Sequence, residues 1–89
     1  MISLITPKWK KSYKTLPSNI KIIAKKQYKF FKVDPHYASL HFKRIHSSKA
    51  IYSARINKDY RTLGLIKDSS IIWFWIGKHD EYDKLVKSF

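Results

Sequence analysis

Apolar residues recur along this chain with two different periods, near 3.6 in the first third and 2 in the remainder. Residues 1–5 alternate weakly, which predicts a short edge strand. Thr6-Pro7 has the form of a helix N-cap followed by proline at the first helical position, where a missing N–H costs nothing. Trp9, Tyr13 and Leu16 fall at i, i+4 and i+7, so a first helix buries that stripe and exposes Lys8, Lys10, Lys11 and Lys14. Pro17-Ser18 breaks and recaps the chain. A second helix carries Ile20, Ile23, Ala24 and Phe31 on one side and Lys21, Lys25, Lys29 and Lys32 over the other. It must stop near Val33, because Pro35 pushes the residue before it out of the helical region.

The period then changes to two. Leu40 and Phe42 alternate with His41 and Lys43 as a strand, and His46-Ser47-Ser48-Lys49 reads as a turn. In the next strand Tyr52, Ala54 and Ile56 share one face, with Ser53 and Arg55 on the other. Asn57-Lys58-Asp59 is a turn, Tyr60–Ile66 a strand, and residues 67–70 another turn. Residues 71–76 are apolar on both faces, as a central strand must be, and Gly77 ends them. Asp80 then caps a short helix whose Tyr82, Leu85, Val86 and Phe89 face inward. The expected fold is α+β: one domain over residues 1–89, with an N-terminal helical hairpin packed on one face of a four- to five-stranded, mainly antiparallel sheet, and a short C-terminal helix.

Composition narrows the function. The chain has no cysteine, which excludes disulfides and thiolate metal sites and suits a reducing cytoplasm. Its longest apolar run is far too short to cross a bilayer, and residues 2–5 are too short for a signal-peptide core, so a cytoplasmic location is expected. The formal net charge is +13, of which residues 1–49 carry +11 and residues 50–89 carry +2. A field of that strength attracts nucleic acid, anionic lipid or an acidic protein. A plain lysine-rich solvated surface is the bland alternative.

The candidate chemistry sits in the last third. With a three-residue turn at 57–59, Ile56 pairs with Tyr60 and Arg55 lies directly opposite Arg61. A two-residue turn would put the arginines on opposite faces. Like charges facing each other across a sheet are destabilising, so an anion between them rationalises the pair. The competing reading pairs Arg61 with Asp59 or with an acid of the 80–83 cluster. His79 follows a strand–glycine corner, and an ordinary imidazole pKa near ~6.5 suits proton transfer at neutral pH. Tyr82 either stacks on a base or packs inside the last helix. His41 and His46 read as surface residues, with Lys43 and Arg44 beside them able to grip a nucleic-acid backbone, and His36 has no assigned role. No cofactor is expected: there is no P-loop, paired zinc motif or glycine-rich turn, and Asp80, Glu81 and Asp83 fit helix capping better than a two-metal centre.

These features together resemble the RelE/ParE superfamily of type II toxin–antitoxin toxins, over nearly the whole chain. The specific stretches are SLHFKRI (Ser39–Ile45), YSARINKDYR (Tyr52–Arg61) and WIGKHDEYDKL (Trp75–Leu85). The resemblance implies ribosome-dependent, metal-independent cleavage of mRNA in the ribosomal A site, with Arg55, Arg61, His79 and Tyr82 as the catalytic set. It implies that lysines such as Lys10 and Lys25, with Lys43, Arg44 and Lys78, contact RNA. It also implies a monomer that assembles with an acidic cognate antitoxin. One departure stands out: the best-known branch carries a second lysine where this chain has Ser53, which leaves the general base open, with Lys43, Arg44 and Lys78 as the candidates to substitute. Two rivals remain open, a gyrase-inhibiting toxin of the ParE branch and a non-catalytic basic RNA-binding module. Membrane association has little support in the alternation of lysines with core aromatics.

Overall fold

The computed structural model describes all residues, 1–89. The elements are β1 (Ile2–Ile5), α1 (Pro7–Lys14), α2 (Ser18–Val33), a 3-10 turn (Ala38–Leu40), β2 (Lys43–Arg44), β3 (Ile51–Arg55), β4 (Tyr60–Lys67), β5 (Ser70–Lys78) and α3 (His79–Lys87). The sheet has the order β1-β5-β4-β3-β2. β1 runs parallel to β5, and every other pairing is antiparallel. The expected α+β architecture is therefore present, with the helical hairpin over one face.

α1 starts as its sequence requires: the Thr6 hydroxyl accepts from the Trp9 amide at 3.1 Å. Trp9 then anchors the helix to the sheet, its Nε1–H donating to Thr62 Oγ1 at 3.0 Å, while that hydroxyl donates to the Trp75 carbonyl at 2.9 Å. α2 starts differently from expectation. Ser18 makes no capping bond; the Pro17 carbonyl accepts the Ile20 and Lys21 amides instead. Below the hairpin, the Phe31 ring meets the edges of Phe42 and Trp73 at 5.2 and 5.3 Å. Ile71 and Leu63 are wholly buried in the sheet.

Four local expectations are corrected. The strand through Leu40–Lys43 does not form. Residues 38–40 make a 3-10 turn that buries Leu40, and His41 takes a left-handed φ of 45°, so pairing begins only at Lys43. Gly77 does not end β5, which runs on to Lys78. Glycine is needed there because the Trp75 ring lies 2.8 Å from where a Cβ would stand. Asp80 does not cap α3: the His79 amide donates to the Asp59 carbonyl at 2.8 Å, so the β3–β4 turn holds the start of that helix. Tyr82, Leu85 and Val86 turn toward the sheet, whereas Phe89 is largely exposed against the His46 ring, 5.5 Å away.

α3 lies on the sheet face opposite the hairpin. Ala54, Thr62, Trp73 and Ile76 line the hairpin side, while the Tyr82 ring of α3 lies 6.4 Å from Trp75 on the other. Side-chain alternation in β3 therefore serves both faces.

Candidate active site

The β3–β4 turn sets the register on which the site depends. Asn57 Oδ1 accepts the amides of Asp59 and Tyr60 at 2.9 and 3.0 Å, a side-chain-closed turn of the kind asparagine favours. Ile56 donates to the Tyr60 carbonyl, and Arg55 pairs directly with Arg61. The three-residue turn is thus present, and both arginines project from the α3 face.

Arg61 is aimed by backbone. Its Nη1 donates to the Asn57 and Tyr60 carbonyls, the latter at 3.0 Å. Burial, and then the charge of Arg55, lower its pKa from the ordinary arginine value, with partial offset from Tyr82, Asp83 and Asp59. Neither arginine has a carboxylate partner; the one ion pair in the molecule joins His79 Nδ1 to Asp83 Oδ2 at 2.9 Å. The reading in which an acid neutralises Arg61 is therefore not realised as a contact.

His79 sits one residue past β5, with its amide fixed to the turn and its ring braced by Asp83 one helical turn on. The bond to Nδ1 leaves Nε2 free to act, the arrangement by which a carboxylate orients a catalytic imidazole. Tyr82 is only 9% exposed, between Trp75 and the His79 ring 5.8 Å away, so most of it is floor rather than stacking surface.

These side chains surround a polar cavity of about 230 Å³, lined by His41, Lys43, Ser53, Arg55, Arg61, His79, Tyr82 and Asp83. Arg55, Arg61, His79, Tyr82 and Lys43 are brought together as expected. Arg44, Lys78, Lys10 and Lys25 are not among its walls. Arg44 donates from Nε to the His46 carbonyl at 3.0 Å, holding its own turn, and Lys10 and Lys25 lie on the hairpin helices. Three residues outside the expected catalytic and RNA-binding sets complete the wall. His41 is carried in by its left-handed backbone, a conformation that costs a non-glycine residue roughly 1–2 kcal/mol. Asp83 comes one helical turn after His79. Ser53, 3% exposed, lies directly opposite Lys43 in the register. Lys43 is thus the cation placed directly across the strand pair from the uncharged Ser53.

Three cations and two imidazoles thus face one carboxylate in a cavity large enough for a phosphodiester. Such a site can neutralise an anion and transfer protons on either side of it. No cluster of metal-ligating side chains is present.

No curated protein sequence matches the chain significantly. The model of the ParE-like toxin domain family matches residues 18–84. Among solved structures, RelE in the RelB–RelE antitoxin–toxin complex of Methanococcus jannaschii superposes with a TM-score of 0.74 at 17% identity, over 92% of this chain and 96% of that one. The YoeB/ParE toxin from Agrobacterium tumefaciens gives 0.71 at 13% identity, over 89% and 99% of the two chains. YafQ from Escherichia coli strain BL21(DE3) gives 0.69 at 15% identity, over 90% and 94%. At such identities the superpositions speak for the fold, and the family match over three-quarters of the sequence speaks for membership. The chain belongs to the ParE-like toxin domain family.

Proposed function

We propose that this toxin arrests translation by cutting mRNA in the ribosomal A site, with no metal in the reaction. The observation that carries the reading is the facing pair Arg55 and Arg61, neither in contact with a carboxylate, flanked by two histidines in one open cavity. In the reaction the 2′-oxygen forms a bond to the adjacent phosphorus as the bond from phosphorus to the 5′-oxygen breaks. The products are a 2′,3′-cyclic phosphate and a 5′-hydroxyl. One imidazole, of His41 or His79, takes the 2′-hydroxyl proton, and the other supplies a proton to the departing oxygen. Arg55, Arg61 and Lys43 neutralise the charge that builds on the phosphoryl oxygens. Tyr82 holds the His79 ring and offers its edge to a base. Lys10, Lys25, Arg44 and Lys78, outside the cavity, hold the toxin against ribosomal RNA. An acidic antitoxin fits both the charge and the complexes in which related toxins were solved.

The ParE-like family name favours one other reading, a gyrase inhibitor. Inducible expression separates the two, with growth, translation and mRNA 5′ ends followed for the parent, Arg61→Ala and His79→Gln. The parent is expected to stop translation with cuts inside codons, and both variants to lose most of that effect. DNA damage with intact mRNA would assign the gyrase reading. A folded parent with neither effect would leave a non-catalytic RNA-binding module.

A further inference from the structure

We propose that the space between the helical hairpin and the sheet is a binding site for a single-chain anionic amphiphile, a medium-chain carboxylate being its simplest form. This cavity, about 270 Å³, lies across β3 from the cationic site, with Ala54 and Ile56 in its wall. Trp9, Phe31, Trp73 and Ile76 close it on other sides.

The chemistry of the occupant follows from the polar atoms of the wall, because those facing inward are already bonded within the protein. Ser3 Oγ accepts from Trp73 Nε1 at 2.8 Å, and Thr62 Oγ1 is engaged by Trp9 and the Trp75 carbonyl. The Tyr13 hydroxyl donates to the Lys21 carbonyl at 3.3 Å. The Gln27 amide nitrogen donates to the Ser39 and Arg55 carbonyls, and its oxygen accepts from the Ser39 hydroxyl. A polar body in this space would lose its hydration and find no partner. Lys25 and Tyr28 differ: both are exposed, both line the cavity, and neither side chain has a hydrogen-bond partner in the protein. They stand three residues apart on α2, hence side by side, and Lys32 Nζ lies 5.5 Å over the Tyr28 ring. The site is dry inside and cationic at its mouth, which selects an apolar tail with one anionic head. A 150 Å³ apolar cavity accommodates benzene, so by proportion 270 Å³ takes a tail of about ten carbons.

The experiment titrates the intact chain with even-numbered carboxylates from butanoate to dodecanoate, below their micelle concentrations. Tryptophan fluorescence and thermal unfolding are the readouts, since Trp9 and Trp73 line the cavity. Affinity is expected to rise about three- to fourfold per added methylene, then level off near decanoate. Octanol should bind more weakly than octanoate, and Lys25→Met should erase that difference. Ala54→Leu, filling the cavity from β3, and Ala24→Leu, filling it from α2, should abolish octanoate binding; if circular dichroism shows one of them unfolded, the other decides. Octyl phosphate identifies the source of the tail: preference for it assigns a lysophospholipid-like ligand, preference for the carboxylate a free fatty acid. Affinity that climbs without levelling, octanoate binding retained in the folded filling variants, or no response from the parent to millimolar decanoate would overturn the proposal.

Discussion

β3 separates two cavities of similar size and opposite character. On the hairpin side, Ala54 and Ile56 face a space whose inward polar groups are satisfied and whose walls are aromatic and aliphatic. On the α3 side, Ser53 and Arg55 face a space of similar volume that gathers Lys43, Arg55, Arg61 and two histidines around Asp83 alone. Hydrophobic burial holds the first side together. The second holds like charges close, an arrangement that local stability disfavours and function can explain. One strand with a period of two builds both, so a slip of one residue would exchange stability for chemistry.

The contrast can be broken from either side. The largest expected effect is on activity: Arg61→Ala should lower mRNA cleavage by about 10²–10³, the loss usual for one charge-stabilising donor, while denaturant unfolding shows stability unchanged or raised. On the opposite face, Ile76→Ala should do the reverse, costing about 2–5 kcal/mol in urea unfolding while the folded fraction keeps its cleavage rate. A swap sharpens the polar side. Lys43→Met should reduce cleavage, and adding Ser53→Lys to it should restore most of the loss, since positions 43 and 53 are directly opposite; single-turnover rates on ribosome-bound mRNA measure both.

Anions give the next effect. Burial and Arg55 lower the Arg61 pKa, so the charged guanidinium is disfavoured in the folded state relative to the unfolded chain. The sign means that this cost persists at every pH where the group is charged and lifts only above its folded pKa, so an anion rather than a change of pH relieves it. Inorganic phosphate at ten times its dissociation constant should add about 1.4 kcal/mol of stability at constant ionic strength. Arg55→Ala should remove that gain. The smallest effect is at His41, where His41→Gly should raise stability by roughly 0.5–1 kcal/mol, the relief of the left-handed backbone less the extra entropy that glycine loses on folding, while it slows cleavage.

How much of this was legible depends on whether the signal is local. The Thr6 cap, the Trp9–Tyr13–Leu16 stripe and the three-residue turn are written in adjacent residues, and the Arg55–Arg61 pairing followed from the turn by counting. Asp80 failed as a cap because a distant carbonyl, that of Asp59, reaches the His79 amide. His41 was unreadable for the same kind of reason: its route into the site depends on Leu40 being buried and the backbone reversing its handedness beside it. Gly77 looked like a strand end until the Trp75 ring explained the missing side chain. The hairpin cavity had no sequence signature, since it is formed by residues scattered over seven elements, most of which read as ordinary core.

The most direct test of the cationic site uses ribosomes programmed with an mRNA carrying a single 2′-deoxy nucleotide on the 5′ side of the scissile bond. Cleavage should vanish at that bond, and on unmodified mRNA the ends should be a 2′,3′-cyclic phosphate and a 5′-hydroxyl. Undiminished cleavage of the deoxy substrate, or ends bearing 5′-phosphate, would contradict the reaction assigned to this pocket.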